Sequence, residues 1–298
     1  MRIAFVFFAA ALAANAEPRV DNVLMKMVPP GTTSILGARM DVLKTTEFYK
    51  RMIAAQKLPQ FERFAAESGF DPRRDVREIL FVETPQGPVL MARGSFRINE
   101  PILKGMKKVR HGEYTITAIE VSGFCILDST LAVAGDIPAV EAVLDEWKSG
   151  SHTTAQPLIA RVKAASESTQ LWGFSTGAAG FLADNFPLAS GGIDFSKIFR
   201  SLDDTWFAAD FNTGLRAEVH GIAAREQDAA SLRDAIKGIV GFGRLSVPEK
   251  QPELLKLWDG IVVDQQGRAI TLKADIAQDL IDRVVQMLGG SSRGNSKI

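Results

Sequence analysis

The chain carries one cysteine, Cys125, in 298 residues. A lone thiol forms no internal disulfide, so stability must come from packing. Cys125 sits in Gly-Phe-Cys-Ile-Leu, which reads as a buried strand where a free thiol acts as a small hydrophobe. Net charge is also missing, because 35 Lys and Arg offset 35 Asp and Glu. That balance removes the electrostatic basis for nucleic acid or an anionic membrane surface as partner. The densest basic patch, Lys107-Lys108-Val109-Arg110, reads as a solvated helix end.

Metal and phosphate signatures are absent too. His111, His152 and His220 are isolated, with no H-x-x-x-H or His-Cys spacing. Asp71 and Asp75 flank two arginines, which suggests a turn with local ion pairs rather than a calcium loop. No G-x-G-x-x-G or G-x-x-x-x-G-K-[ST] pattern follows a strand, and the glycines at 238, 241 and 243 fall at a helix end. No metal and no cofactor is expected.

What is present begins with the first sixteen residues. Met1-Arg2 is a short positive segment, residues 3–13 are apolar, and Ala14-Asn15-Ala16 has the small-x-small pattern of a signal-peptidase site. The apolar run is too short to cross about 30 Å of hydrocarbon as a helix. Cleavage after Ala16 is therefore expected, and it takes one basic residue from 35, leaving 34 against 35 acidic. No cysteine follows the run to receive a lipid. No later segment reaches eighteen uninterrupted apolar residues, so a soluble periplasmic or secreted protein without a membrane span is expected.

The remaining chain reads as the same unit twice. Thr33-Ser-Ile-Leu-Gly-Ala-Arg-Met-Asp41 can be laid over Thr169-Gln-Leu-Trp-Gly-Phe-Ser-Thr-Gly177, 136 residues on, which aligns Gly37 with Gly173. Gly-apolar-Asp turns follow at Gly69 and Gly192. Hairpins at 79–83 with 89–96 and at 205–210 with 215–223 come next, joined by turn residues. Helices near 100–109 and 226–240 precede second hairpins, 124–127 with 131–134 and 261–263 with 269–274. Each of these runs into a helix, 139–147 or 278–288, with Asp136 and Asp275 as expected N-caps.

The expected fold is α+β: two tandem similar β-α-β-β-α-β-β-α units, mainly antiparallel sheets with helices packed on one face. The expected boundaries are a signal peptide at 1–16, a first unit at 17–150, a second at 157–288 and a disordered tail at 289–298.

One motif has catalytic form. Gly173-Phe174-Ser175-Thr176-Gly177 satisfies G-x-S-x-G, follows an apolar strand and precedes a predicted helix over 178–186. A serine hydrolase would pair Ser175 with His220, the only downstream histidine, and with an aspartate such as Asp194, Asp203, Asp204 or Asp210. Two observations oppose this. The aligned position in the first unit is Arg39, and His220 lies mid-strand in Ala-Glu-Val-His-Gly. Trp147, Trp172, Trp206 and Trp258 sit in apolar elements and read as core.

The export signal, the Phe70-Asp71-Pro72 turn and the Leu-Ala-Val-Ala-Gly-Asp136 junction resemble uncharacterised exported bacterial proteins of domain-of-unknown-function type. The resemblance implies no catalytic residue. The sequence points to a non-catalytic binding or structural module of the bacterial envelope, with a groove between the halves as the default site. A serine hydrolase and a carrier of an apolar small ligand are the alternatives, and a protein or an apolar small molecule is the expected partner.

Overall fold

The computed structural model describes residues 22–51, 59–97, 104–150, 169–176 and 202–283. The expected signal peptide, the helix over 178–186, the turn at Gly192, His152, Asp194, Gly177 and the tail lie outside these residues.

Twelve strands are described: β1 (Ser34–Arg39), β2 (Val76–Thr84), β3 (Gly87–Gly94), β4 (Lys107–His111), β5 (Tyr114–Ile119), β6 (Ser122–Asp128), β7 (Leu131–Asp136), β8 (Leu171–Thr176), β9 (Leu202–Asp210), β10 (Gly214–Ala223), β11 (Ile261–Gln266) and β12 (Ala269–Ala277). They form one sheet in the order β11-β12-β10-β9-β8-β1-β2-β3-β7-β6-β5-β4. Every pairing is antiparallel, so the α+β class holds. Strands β1 and β8 meet in the middle and join the two halves into one continuous surface.

Cross-strand partners share a face, so the register sorts the sheet into two sides. Val89, Val82, Ile35, Phe174, Trp206, His220 and Thr271 are successive partners on one side, here face A. Phe81, Leu36, Gly173, Phe207, Val219, Leu272 and Val263 are successive partners on the other, face B.

The helices divide between these faces, which corrects the expectation of a single covered side. Helix α1 (Asn22–Lys26), the Met27 that follows it and helix α6 (Ile137–Ser149) press Leu24, Met27, Val140, Val143 and Leu144 onto face A of the first half, among Leu80, Val82, Met91 and Val133. The longest described helix, α7 (Glu226–Leu245), sets Ala229, Leu232 and Ile236 against Val263, Ile270 and Leu272 on face B of the second half. The reason lies in the strands: β2, β3, β6 and β7 carry unbroken apolar runs, and such strands need cover on both sides.

Three local expectations change. Lys107, Lys108, Val109 and Arg110 form edge strand β4, not a helix end; Val109 pairs with Ile116 across a turn at Gly112. Charge on an edge strand discourages pairing with another chain. Asp136 occupies the N-cap position of α6 without a capping hydrogen bond, and instead its carboxylate accepts from the Ser122 hydroxyl at 3.4 Å. Asp275 lies inside β12, which runs through Ala277 before helical residues 278–283. The alignment of Gly37 with Gly173 is out of step with the sheet: Gly37 pairs with Trp172 and Gly173 with Leu36, so the two glycines face opposite sides. A symmetric overlay of the halves needs a one-residue shift.

The described helices along the chain from β1 to β2 are α2 (Met40–Leu43), α3 (Glu47–Tyr49), α4 (Pro59–Ser68) and α5 (Pro72–Asp75). Leu43 and Tyr49 close over Ala209 and Phe211 on face B.

Candidate functional site

Ser175 and His220 do not come together. Ser175 is fully buried in β8, between Ser34 of β1 and Thr205 of β9, and its hydroxyl shares a 2.8 Å hydrogen bond with that of Ser34. Its row belongs to face B, because Thr205 pairs with Gly221 beside Val219. His220 projects from face A, stacked on Trp206 with ring centroids 4.1 Å apart. The imidazole contacts Glu218 at 2.8 Å and the Thr271 hydroxyl at 3.0 Å. The sheet itself separates nucleophile from base, so this pair has no acyl-transfer geometry.

Glu218 also meets Lys273 at 3.1 Å. Burial pushes its carboxyl upward, but Lys273 and His220 outweigh this and hold it below the usual range. Glu218, His220 and Lys273 form a polar strip on face A of the second half, in which Glu218 and His220 are partly buried. No group of three or more His, Cys, Asp or Glu able to hold a metal ion occurs among the described residues. Cys125 is buried on face A, and burial raises its thiol away from reactivity.

Among the described residues a concave feature lies on face B of the first half. A cavity of about 380 Å³ opens beneath β2, β3, β7 and β6. Its floor is the rows Ile79, Ala92, Ala132, Ile126 and Leu90, Ala134, Phe124. Its wall is Phe70, Pro72, Val76 and Phe96. Phe70 and Phe96 face each other with ring centroids 5.5 Å apart. Every one of these side chains is apolar. The volume falls in the range of small-molecule sites, which runs from about 300 to about 1,000 Å³.

Chain length explains the space. In the second half residues 224–260 join β10 to β11 and include α7, which fills face B. In the first half only residues 95–106 join β3 to β4, too few for another helix of that length. Among the described residues the apolar runs of β2, β3, β6 and β7 thus lie over a side with no counterpart of α7.

A charged corner supports the wall. Phe70 and Pro72 flank Asp71, which caps α5 by accepting from Arg73 N–H at 2.9 Å and also binds the Arg73 guanidinium. Asp75 accepts from the backbone N–H of Asp71 at 2.8 Å and pairs with Arg74 at 2.7 Å. The Lys44 ammonium donates to the carbonyls of Arg74 and Val76, tying α2 to the start of β2. Burial lowers the Lys44 ammonium, opposed by Asp75, Asp41 and Asp71.

Hydrogen bonds from Arg73 and Arg74 hold Asp71 and Asp75 below the ordinary carboxylate value. A carboxyl lowered in the folded state adds stability that is complete above its unfolded pKa and is lost as pH falls through the folded one. The urea midpoint is therefore expected to fall below about pH 4. An Asp71→Asn/Asp75→Asn variant should be less stable at pH 7 and show a shallower acid decline. An equal decline in both proteins would exclude the corner from acid stability.

No protein-family model and no curated protein matches the chain. Solved structures similar to it include crystal form III of TP0453, an exported protein of Treponema, at 10% identity. That match covers 88% of this chain and 97% of the other with a TM-score of 0.52. Crystal form I of the same protein covers 93% and 99% at 10% identity with a TM-score of 0.49. At this identity the likeness concerns the fold alone. Among the described residues no helix is long and apolar enough to cross a membrane.

Proposed function

We propose that the protein is an exported, non-catalytic binding module that takes an apolar small ligand in the cavity beneath β2, β3, β7 and β6. The observation that carries this reading is the lining: about 380 Å³ bordered, among the described residues, by apolar side chains. A polar substrate there would lose its hydration with nothing to replace it. An apolar one gains by leaving water at about 25 cal/mol per Å² buried.

Export rests on residues 1–16, with cleavage after Ala16. The mirrored strand order around β1 and β8 supports reading the halves as one duplicated unit. A hydrolase reading has no comparable support, since the Ser175 hydroxyl is engaged by Ser34 on the face away from His220.

The test uses N-phenyl-1-naphthylamine, a neutral apolar fluorophore that brightens when it leaves water. Protein purified from the cell that exports it should begin at Glu17 and enhance the dye's emission. Ala132 lies on the cavity floor, so Ala132→Phe should fill the space and abolish the enhancement while circular dichroism stays unchanged. Full enhancement in the filled variant would reject the cavity as the site, and a retained leader would reject export by cleavage.

A further inference from the structure

We propose that strand β11 pairs antiparallel with β11 of a second copy of this chain, about a two-fold axis at Val262, so that two sheets become one. β11 ends the strand order in the second half, as β4 ends it in the first. The two edges differ in chemistry. β4 carries Lys107, Lys108 and Arg110, whereas Ile261-Val262-Val263-Asp264-Gln265-Gln266 has no Lys, Arg or Pro to deter another strand.

Backbone geometry decides which groups β11 offers. The Asp275 N–H donates to the Gly260 carbonyl at 2.9 Å, which makes these two residues a hydrogen-bonded pair. Such pairs alternate along an antiparallel ladder, and the register of β11 with β12 runs without a bulge. Val262 and Asp264 therefore spend their backbone groups on Lys273 and Thr271. Ile261, Val263 and Gln265 turn theirs outward, and among the described residues no strand takes them up. The Val262 side chain shares face A with its partner Lys273 and is 58% exposed. Phe242 and Leu245, also exposed, belong to the end of α7 that the Arg244–Asp259 ion pair ties to the approach of β11.

The occupant follows from how this edge can be matched. A second copy must set outward groups opposite outward groups, so its register can slip only in steps of two residues. With Val262 on the axis, Ile261 faces the second copy's Val263, Val262 faces its own counterpart, and every central pair is apolar. One step along sets Val262 against Asp264, and the next sets Asp264 against Asp264, a like-charge pair. One step the other way runs the ladder out at Gly260, before the strand begins. The edge is thus complementary to itself in one register. A ladder this short buries less than the roughly 1,200 Å² of a standard interface, so the dimer is weak and reversible. The cavity beneath β2, β3, β7 and β6 lies in the other half and is left uncovered.

Sedimentation velocity tests this on the purified protein, on Val262→Asp, on Val262→Lys and on an equimolar mixture of the two variants. The wild type should form dimer as its concentration rises. Each variant alone should weaken the dimer about tenfold, because like charges then meet at the axis. The mixture should regain it, since aspartate then faces lysine. Circular dichroism should not change, as the Val262 side chain is exposed. A wild type still monomeric at about 1 mM, the dissociation constant of a contact worth only about 4 kcal/mol, would overturn the pairing. So would a variant that dimerises like the wild type, or a mixture that stays monomeric.

Discussion

A Trp172→Ala variant is expected to lose about 3–5 kcal/mol of unfolding free energy, the usual cost of deleting a buried large aromatic. Trp172 lies at the centre of the sheet in β8, is 2% exposed, and packs with Phe174 at a centroid distance of 6.1 Å. Its indole lies across Gly37 of β1, so a Cβ at position 37 would strike the ring atoms Cε2, Cζ2 and Cη2. Gly37 is a glycine because the neighbouring strand's indole occupies the space of its side chain. Gly37→Ala should therefore cost about 3 kcal/mol by itself, the upper part of the overpacking range.

The two effects share one space and should not add. In the Trp172→Ala background the alanine at 37 occupies part of the void, and its cost should fall close to zero. Urea denaturation of the four proteins measures the coupling, expected at about 2–3 kcal/mol. Additive losses would show that the indole and the new methyl do not compete for one space.

Much of this architecture is legible in the residues. The hairpins β2–β3, β6–β7, β9–β10 and β11–β12 follow from apolar runs broken by turn residues, and α6 and α7 follow from helical spacing. Edge strand β4 hides because Lys107, Lys108 and Arg110 give it no apolar period; only its pairing with Tyr114–Ile119 makes it a strand. The overlay of Gly37 on Gly173 misleads because two strand glycines fix no register. Indole and phenyl rings decide which face each glycine serves, and a slip of one residue exchanges the faces.

The site was less legible than the fold. The G-x-S-x-G pattern has the spelling of a nucleophile turn, yet Ser175 is a core hydroxyl bonded across strands to Ser34. The cavity carried a quieter signal. Ile79-Leu80-Phe81-Val82, Val89-Leu90-Met91-Ala92 and Leu131-Ala132-Val133-Ala134 do not alternate, whereas β10 mixes Arg216, Glu218 and His220 with apolar neighbours. Non-alternating strands demand cover on two sides. The twelve residues from 95 to 106 set against 224–260 then point to the side that has no counterpart of α7 among the described residues. Where Phe70, Pro72 and Phe96 fold over that side is set by the Lys44 and Asp71 contacts, which no local pattern encodes.

Adjacent residues of β2 should separate folding from binding. Leu80 points to face A, fully buried against the α6 core beside Met91, whereas Ile79 points to face B and lines the cavity. Leu80→Ala is expected to cost about 3 kcal/mol, because the helix and sheet around it cannot collapse into the void. Ile79→Ala removes methyl groups that already border open space, so only the transfer part is lost, about 1–2 kcal/mol. Binding should run the other way. Leu80→Ala, assayed where it remains folded, should bind N-phenyl-1-naphthylamine like the wild type. Ile79→Ala should widen the cavity and shift its preference toward bulkier apolar ligands. Impaired dye binding in folded Leu80→Ala, with binding unaltered in Ile79→Ala, would place the ligand on face A, beneath α1 and α6. The preserved pattern would mean that β2 spends one side on stability and the other on the ligand, the division that the two-faced apolar runs of the first half require.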